Sequence, residues 1–192
     1  MGGAGDRVLV IGPDAGRKAL AFADRGVEHV LACVTPGASF APASRGADLP
    51  TQVELRRSGW EALDPVQDGS FDIVHCDGLM HCVLDPMGLL HSLRTMTADG
   101  GTLLIGSLML PDAGQSELLR FVPEPQLAWW FLPGRLAFRW MVSTAGFEVD
   151  AEFGEREGPR ERFPVVTGYL RARADRAPDH TVPRAGVTPG RE

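Results

Sequence analysis

Residues 71–86, FDIVHCDGLMHCVLDP, carry the pattern from which the fold can be predicted. Phe71–Cys76 is predicted to be a strand, because four of its six residues are apolar and the turn signal Asp68-Gly69-Ser70 precedes it. Asp85 and Pro86 then supply a capping carboxylate and a proline for the first helical position, so a helix is predicted to begin there. A strand that leads into a helix is the repeating unit of an α/β sheet.

The flanking segments repeat this pattern. Downstream, Gly100–Gly101 is predicted to end the helix, and residues 102–110 form another buried strand. Upstream, residues 8–11 are an uninterrupted apolar run that enters a glycine-containing turn at 12–16, and a helix is predicted over 17–25. Such alternation predicts a mostly parallel, doubly wound sheet whose ligand lies outside the carboxyl ends of the strands, beside the first turn.

More strands are predicted on both sides of this unit. Residues 29–34 and 52–56 have strand patterns, whereas residues 37–50, rich in Ala, Ser, Pro and Gly, are predicted to be a loop or a poorly formed helix. Residues 147–153 and 163–173 are two strands that follow one another without a helix between them. They therefore predict an antiparallel pair at one edge of the sheet.

The C-terminal part contains the last helix and a polar tail. The helix is predicted over 133–145 and ended by Gly146. Residues 174–192 combine proline, glycine and charge with few large apolar side chains, so a disordered tail is expected after a single domain at residues 1–173. The apolar face of the predicted helix consists of Leu136, Ala137, Trp140 and Met141.

Composition excludes several classes of protein. The chain has 192 residues and a formal net charge of −6, and an acidic surface makes nucleic acid an unfavourable partner. It has three cysteines without metal-ligand spacing, so neither a disulfide framework nor a metal site is expected. The absence of a long uncharged apolar span or a leader pattern favours a cytoplasmic protein that does not enter a membrane. The basic residues comprise 18 arginines and one lysine, Lys18.

Three segments together resemble the class I S-adenosylmethionine-dependent methyltransferases: residues 8–36, 71–110 and 128–149. The last, with its tryptophan pair, proline, helix and Ala-Gly-Phe ending, is similar to the branch that contains the tRNA wobble-uridine methyltransferases. The resemblance implies a seven-stranded Rossmann-like sheet, S-adenosylmethionine or a close analogue as cofactor, and a small-molecule acceptor. The N-terminal helices that usually cover the cofactor have no counterpart before residue 8, so a homodimer or a protein partner is expected to cover the site.

The resemblance also implies where the cofactor binds. Gly12 and Gly16 belong to the turn that the cofactor approaches, although a plain tight turn is the alternative. Asp14 either reaches the methionine amino group or caps the helix. The predicted cofactor-binding residues are Gly12, Asp14, Gly16, Cys33, Trp60, Glu61 and Asp77.

This sequence departs from the family pattern at several of these positions. Val10 stands where family members usually have an acidic residue in the first strand. Cys33 stands where a carboxylate usually holds the ribose hydroxyls, and a thiol there is otherwise a small buried apolar group. Glu61 is the nearest substitute for an acidic residue near the adenine. Lost hydrogen bonds of this kind cost roughly 1 to 3 kcal/mol each.

Asp77 and His81 are the predicted catalytic residues, because they follow the fourth strand, where the resemblance implies residues near the transferred methyl group. His81 is the best candidate for a general base, with a partly exposed loop histidine as the alternative. Trp129, Trp130 and Arg135 are assigned to the acceptor pocket. The alternatives are core packing for the tryptophans and a solvated helix face for Arg135.

Three functions are compatible with these patterns. The first is methyl transfer from S-adenosylmethionine to an unidentified small molecule. The second is a catalytically silent methyltransferase fold that binds a partner or scaffolds an assembly, a hypothesis that rests on the missing acidic residues. The third, a nicotinamide-dependent oxidoreductase, fits less well because the first turn lacks a complete GxGxxG.

Overall fold

The computed structural model describes residues 3, 5–34, 49–111, 117–124, 129–157 and 165–175. The predicted loop at 37–50 therefore lies outside the described residues except for its last two positions, and so does the predicted tail after residue 175. The strands are β1 Arg7–Ile11, β2 His29–Cys33, β3 Val53–Arg56, β4 Phe71–Asp77, β5 Thr97–Met109, β6 Leu119–Glu124, β7 Trp129–Pro133, β8 Phe147–Glu157 and β9 Val166–Ala174. The helices are α1 Ala15–Ala23, α2 Pro65–Asp68, α3 Pro86–Met96 and α4 Arg135–Thr144, with a 3₁₀ turn at Trp60–Ala62.

Seven of these strands form one sheet in the order β3-β2-β1-β4-β5-β9-β8. The first five pair in parallel, and β9 runs antiparallel to both β5 and β8. The predicted doubly wound sheet with an antiparallel pair at one edge is confirmed. From β1 the chain proceeds outward to β2 and β3 and then returns to β4 on the other side of β1, so the strand order reverses between β1 and β4. In such sheets, ligands bind at the carboxyl ends of the strands at this point of reversal.

The sheet is buried on both faces, which explains why β1 and β2 are apolar at consecutive positions. One face packs against α3 and α4 through Leu9, Ile11, Leu31, Val74, Leu90, Leu103, Ile105 and Phe138. The other packs against α1 through Val8, Val10, Ala19, Phe22, Val30 and Ala32.

Three predicted helices have different bounds in the structure. Helix α1 covers Ala15–Ala23 instead of 17–25. Helix α3 ends at Met96 instead of Gly100–Gly101, and β5 begins at once, because Thr97 has extended backbone and its hydroxyl donates to the carbonyl of Leu93 at 2.7 Å. Helix α4 begins at Arg135, because Pro133 still belongs to β7.

The predicted apolar face of α4 was also partly wrong. Trp140, assigned to that face, is 51% exposed, whereas Phe138 is fully buried. The buried positions of the helix are Ala137, Phe138 and Val142. The face that meets the sheet is therefore rotated relative to the predicted one.

The sequence did not predict the two-stranded antiparallel sheet of β6 and β7. It is joined to the end of β5 by a third apolar cluster and by the amide of Leu110, which donates to the carbonyl of Pro133 at 2.9 Å. One side of this small sheet is open, because Phe121 is 57% exposed. The cluster comprises Leu108, Leu110, Val122, Trp129, Leu132 and Val165.

Candidate active site

The turn after β1 and the end of β4 form the crevice that the strand order predicts. Gly12 has φ of +132°, and a Cβ at this position would collide with the backbone carbonyl oxygen of Asp77. Its amide donates to the carbonyl of Cys33 at 3.5 Å. Gly16 is buried in the first turn of α1. Gly12 therefore lets three parallel strand ends meet closely, which requires a residue without a side chain.

Lys18 and Asp77 form an ion pair across this crevice, between α1 and β4. Each side chain is 24% exposed. The prediction placed Asp77 at the cofactor site, and the structure brings it to the strand end beside Gly12. Lys18 was not among the predicted site residues; the one available signal was that it is the chain's single lysine.

Asp14 lies at the start of α1 but does not cap it through its side chain. Its carboxylate binds the guanidinium of Arg17 at 2.8 Å, and the side chain is 60% exposed. The side chain is therefore accessible to a ligand at the mouth of the crevice, and its predicted role toward an amino group stays a prediction.

Cys33 ends β2 and is fully buried. Burial raises the pKa of its thiol, so the group stays neutral and offers no charge to a ribose. The side chain acts as a small apolar residue in the core, which was the alternative reading of this position.

The segment after β3 carries Trp60 and Glu61 in a 3₁₀ turn. Trp60 packs against the core beside α3, and Glu61 is exposed. The indole N–H of Trp60 is shut away from solvent and has no hydrogen-bond partner among the described residues, whereas the buried hydroxyl of Ser58 lies within hydrogen-bonding reach of the Cys33 thiol. Both residues belong to the segment where the resemblance places the adenine.

His81 is buried, so the alternative of a partly exposed loop histidine was wrong. Its Nδ1 accepts the amide N–H of Leu108 at 3.3 Å, and its ring meets Trp129 edge to face. Burial lowers the pKa of His81 to about 4. The imidazole is therefore neutral near pH 7, and its Nδ1 already holds a hydrogen bond.

The predicted acceptor residues separate in the structure. Trp129 belongs to the apolar cluster that joins β7 to β5, as the core alternative stated, and Trp130 stacks with Phe121 at a ring distance of 6.3 Å. Arg135 instead lines a cavity of about 240 Å³ between α4 and the β8–β9 pair. The other lining residues include Met109, Leu110, Phe138, Glu152, Tyr169 and Leu170.

Glu152 is the charged centre of this cavity. It accepts hydrogen bonds from Arg135 at 2.6 Å and from Arg139 at 3.0 Å. Burial alone would raise the pKa of Glu152, but the two guanidinium groups hold it below its usual value. Two guanidinium groups thus contact one carboxylate, and Arg135 and Glu152 belong to the wall of the cavity.

Gly106 connects the cavity with the crevice. It pairs with Asp77 on one side and with Tyr169 on the other, so the three residues face the same side of the sheet. A Cβ on Gly106 would lie 2.5 Å from both Asp77 Oδ1 and Tyr169 Cε1. These two atoms are therefore no more than about 5 Å apart, twice that distance.

Comparison with known proteins identifies the family. A model of the methyltransferase domain matches residues 2–152. The chain belongs to this methyltransferase family. The N-terminal domain of EvdMO1, solved with S-adenosylhomocysteine bound, is similar at 26% identity and a TM-score of 0.62, and the match covers 88% of this chain and 74% of that one. The fold and family are thus those of the class I S-adenosylmethionine-dependent methyltransferases, as the resemblance implied.

Two further relatives refine the comparison. The ubiquinone biosynthesis O-methyltransferase of Azotobacter vinelandii is 29% identical over 130 residues, which are 63% of this chain and 55% of that protein. The methyltransferase domain thus spans about half the length of this curated relative. An S-adenosylmethionine-dependent methyltransferase from Mesorhizobium loti shares the fold at 16% identity and a TM-score of 0.64, and the match covers 88% and 91% of the two chains. The narrower resemblance to the tRNA wobble-uridine branch stays a prediction.

The helices of this methyltransferase domain include none, among the described residues, that is long and apolar enough to cross a bilayer.

Proposed function

We propose that this protein transfers a methyl group from S-adenosylmethionine to a hydroxyl group of a small molecule. The observation that carries the proposal is the crevice at Gly12 and Asp77, which lies at the strand-order reversal of a domain that belongs to the methyltransferase family. The ubiquinone biosynthesis O-methyltransferase among its relatives supports an oxygen acceptor.

The residues of the crevice fit the amino-acid part of the cofactor, because Asp77 offers a carboxylate and the turn at Gly12 offers close backbone approach. The segment of Ser58 and Trp60 is the one that the family resemblance assigns to the adenine. The ribose receives no carboxylate from Cys33, and Glu61 is the acidic residue that the sequence predicts for this region. When bound, the cofactor supplies the reactive sulfonium methyl group, and the protein supplies binding and alignment.

The cavity beside α4 is the proposed acceptor site. Tyr169 lines it and lies within about 5 Å of Asp77, so an acceptor in the cavity borders the crevice. The walls are mostly apolar, and their charged residues are Arg135 and Glu152, which form an ion pair. This combination suits a molecule with a flat apolar body and one acidic group.

Alignment is the main catalytic task in this proposal, because in-line displacement needs the acceptor oxygen about 3 Å from the methyl carbon. The predicted bases are constrained: His81 uses its Nδ1 for Leu108, and Asp77 binds Lys18. We therefore expect the acceptor to react from its deprotonated form, which a guanidinium group such as that of Arg135 in the cavity wall favours.

Titration calorimetry and a methylation assay test the function. We expect S-adenosylhomocysteine to bind with micromolar affinity, and mass spectrometry to detect methylation of 3,4-dihydroxybenzoate, a phenolic acid used as probe. An Arg135→Met variant should lose methylation of the phenolic acid but bind S-adenosylhomocysteine as before. Absence of binding at millimolar ligand, by protein that circular dichroism shows to be folded, would refute the proposal in favour of a silent methyltransferase fold.

A further inference from the structure

The ion pair of Lys18 and Asp77 is an unusual feature for an otherwise apolar sheet interior. Both side chains are about three-quarters buried, and they join the second turn of α1 to the end of β4. Removing charges from water is costly, and a buried pair is often no more stabilising than an apolar pair of similar volume. Stability alone therefore does not account for a charged pair at this point.

The pair retains capacity to bind a further ligand. A lysine ammonium has three N–H donors, and the bond to Asp77 Oδ2 uses one of them. The second carboxylate oxygen, Oδ1, lies beside Gly106 and receives no hydrogen bond from a described residue. Oδ1 therefore retains its capacity to accept one.

The neighbouring titratable group does not add charge to this site. His75 precedes Asp77 on the same face of β4 and packs against Phe22. Burial, and secondarily the positive charge of Lys18, lower the pKa of His75 to about 4. Near pH 7 the local charges in this group are therefore one cation and one anion, side by side.

We propose that Lys18 and Asp77 bind the amino-acid end of the cofactor. The Lys18 ammonium would bind the α-carboxylate, and the Asp77 carboxylate would bind the α-ammonium. The four charged groups would then alternate in sign around a ring. This assignment rests on the proposed function, and it gives Lys18 a binding role. The competing explanation is that the pair only holds α1 against β4.

Ligands with and without the amino-acid end separate the two explanations. S-adenosylhomocysteine carries this end, whereas 5′-methylthioadenosine lacks it and shares the rest. For Lys18→Met we expect titration calorimetry to show roughly 10- to 100-fold weaker binding of S-adenosylhomocysteine, the loss expected for one charge-assisted hydrogen bond. Binding of 5′-methylthioadenosine should stay within about twofold, and Lys18→Arg should restore part of the lost affinity.

The outcomes distinguish this inference from the function on which it rests. If wild-type protein binds S-adenosylhomocysteine and Lys18→Met binds it equally well, or loses both ligands to the same extent, the inference is wrong and the proposed function stands. If the wild type binds neither ligand, both fail. The double variant Lys18→Met/Asp77→Asn removes both charges together and serves if the single variant does not fold.

A second measurement uses the unmodified protein. Because Lys18 is the only lysine, an amine-acetylating reagent reacts with this side chain and with the terminal amine, and mass spectrometry resolves the two. We expect saturating S-adenosylhomocysteine to slow acetylation of Lys18 at least tenfold, and saturating 5′-methylthioadenosine to have little effect. Equal protection by both ligands, or none by either when both are bound, would overturn the inference.

Discussion

Replacing Gly12 by alanine tests whether the crevice requires a residue without a side chain. Two effects act at this position: φ is +132°, and a Cβ would collide with the backbone carbonyl of Asp77. Gly26→Ala is a matched control, because Gly26 has φ of +78° and a Cβ there would meet no atom within 4 Å. Both variants place an alanine at positive φ, and only Gly12→Ala adds the collision.

The difference between the variants can be worked out from these contacts. An alanine at positive φ costs roughly 1 to 2 kcal/mol at position 26 and at least as much at position 12, whose φ lies farther from the left-handed helical region. The reduced conformational freedom of the unfolded chain offsets about 0.4 to 1 kcal/mol of this cost at both positions. The collision forces the backbone of the first turn away from β4, a form of overpacking that costs about 1 to 3 kcal/mol. We therefore expect Gly12→Ala to lower the free energy of unfolding by about 1 to 3 kcal/mol more than Gly26→Ala does.

Urea denaturation followed by circular dichroism measures this difference, provided that the slope of the transition is the same for both variants. Titration with S-adenosylhomocysteine supplies a second readout, because a shifted β1 turn also displaces Asp77. Equal destabilisation by the two variants, within about 0.5 kcal/mol, would refute the argument that contact with Asp77 makes position 12 a glycine.

Two further predictions concern stability. Burial lowers the pKa of His75 and of His81 to about 4, so between pH 6.5 and 4 the unfolded chain binds protons that the folded chain does not. The contribution of these two histidines to the free energy of unfolding should be fully present above pH 6.5 and should decrease toward pH 4. The urea midpoint of His81→Phe should therefore decrease less over this pH range than that of the wild type. The control variant His91→Gln, at an exposed position, should show the wild-type decrease. Trp129 is 6% and Trp140 51% exposed, so alanine should cost about 3 kcal/mol at 129 and below about 1 kcal/mol at 140 by the same assay.

The sheet could be predicted because its strands are buried on both faces. A continuous apolar run such as Val8–Ile11 is typical of a strand buried on both faces, and the alternation of strands with helices leaves few topologies. The β6–β7 sheet escaped prediction because Phe121 is exposed and neighbours Val122, which is buried, in a strand with little other apolar pattern. The position of Trp140 was missed because Phe138 competes with it for the sheet-facing side of α4.

The backbone positions of the site could be predicted from the sequence, but the contacts of its side chains could be predicted less well. Gly12 and Asp77 lie where the strand order requires, because the ends of adjacent parallel strands must meet. His81 could not be judged from sequence, because its burial depends on Trp129 and Leu108, which are distant in the chain. Lys18 was missed for a similar reason: a lone lysine on a helix has no local sign of a carboxylate 59 positions away.

The charges of the crevice support recognition at one end of the cofactor more than at the other. Val10 and Cys33, which occupy positions where the family resemblance leads one to expect acidic residues, are both fully buried and apolar in character. Lys18 and Asp77 instead place opposite charges at the end of β4. If those charges hold the amino-acid part, loss of a ribose carboxylate weakens binding without abolishing it, since each charge-assisted contact contributes about 1.5 to 3 kcal/mol. It follows that 5′-methylthioadenosine should bind this protein far more weakly than S-adenosylhomocysteine, and that the missing acidic residues alone do not make the protein catalytically silent.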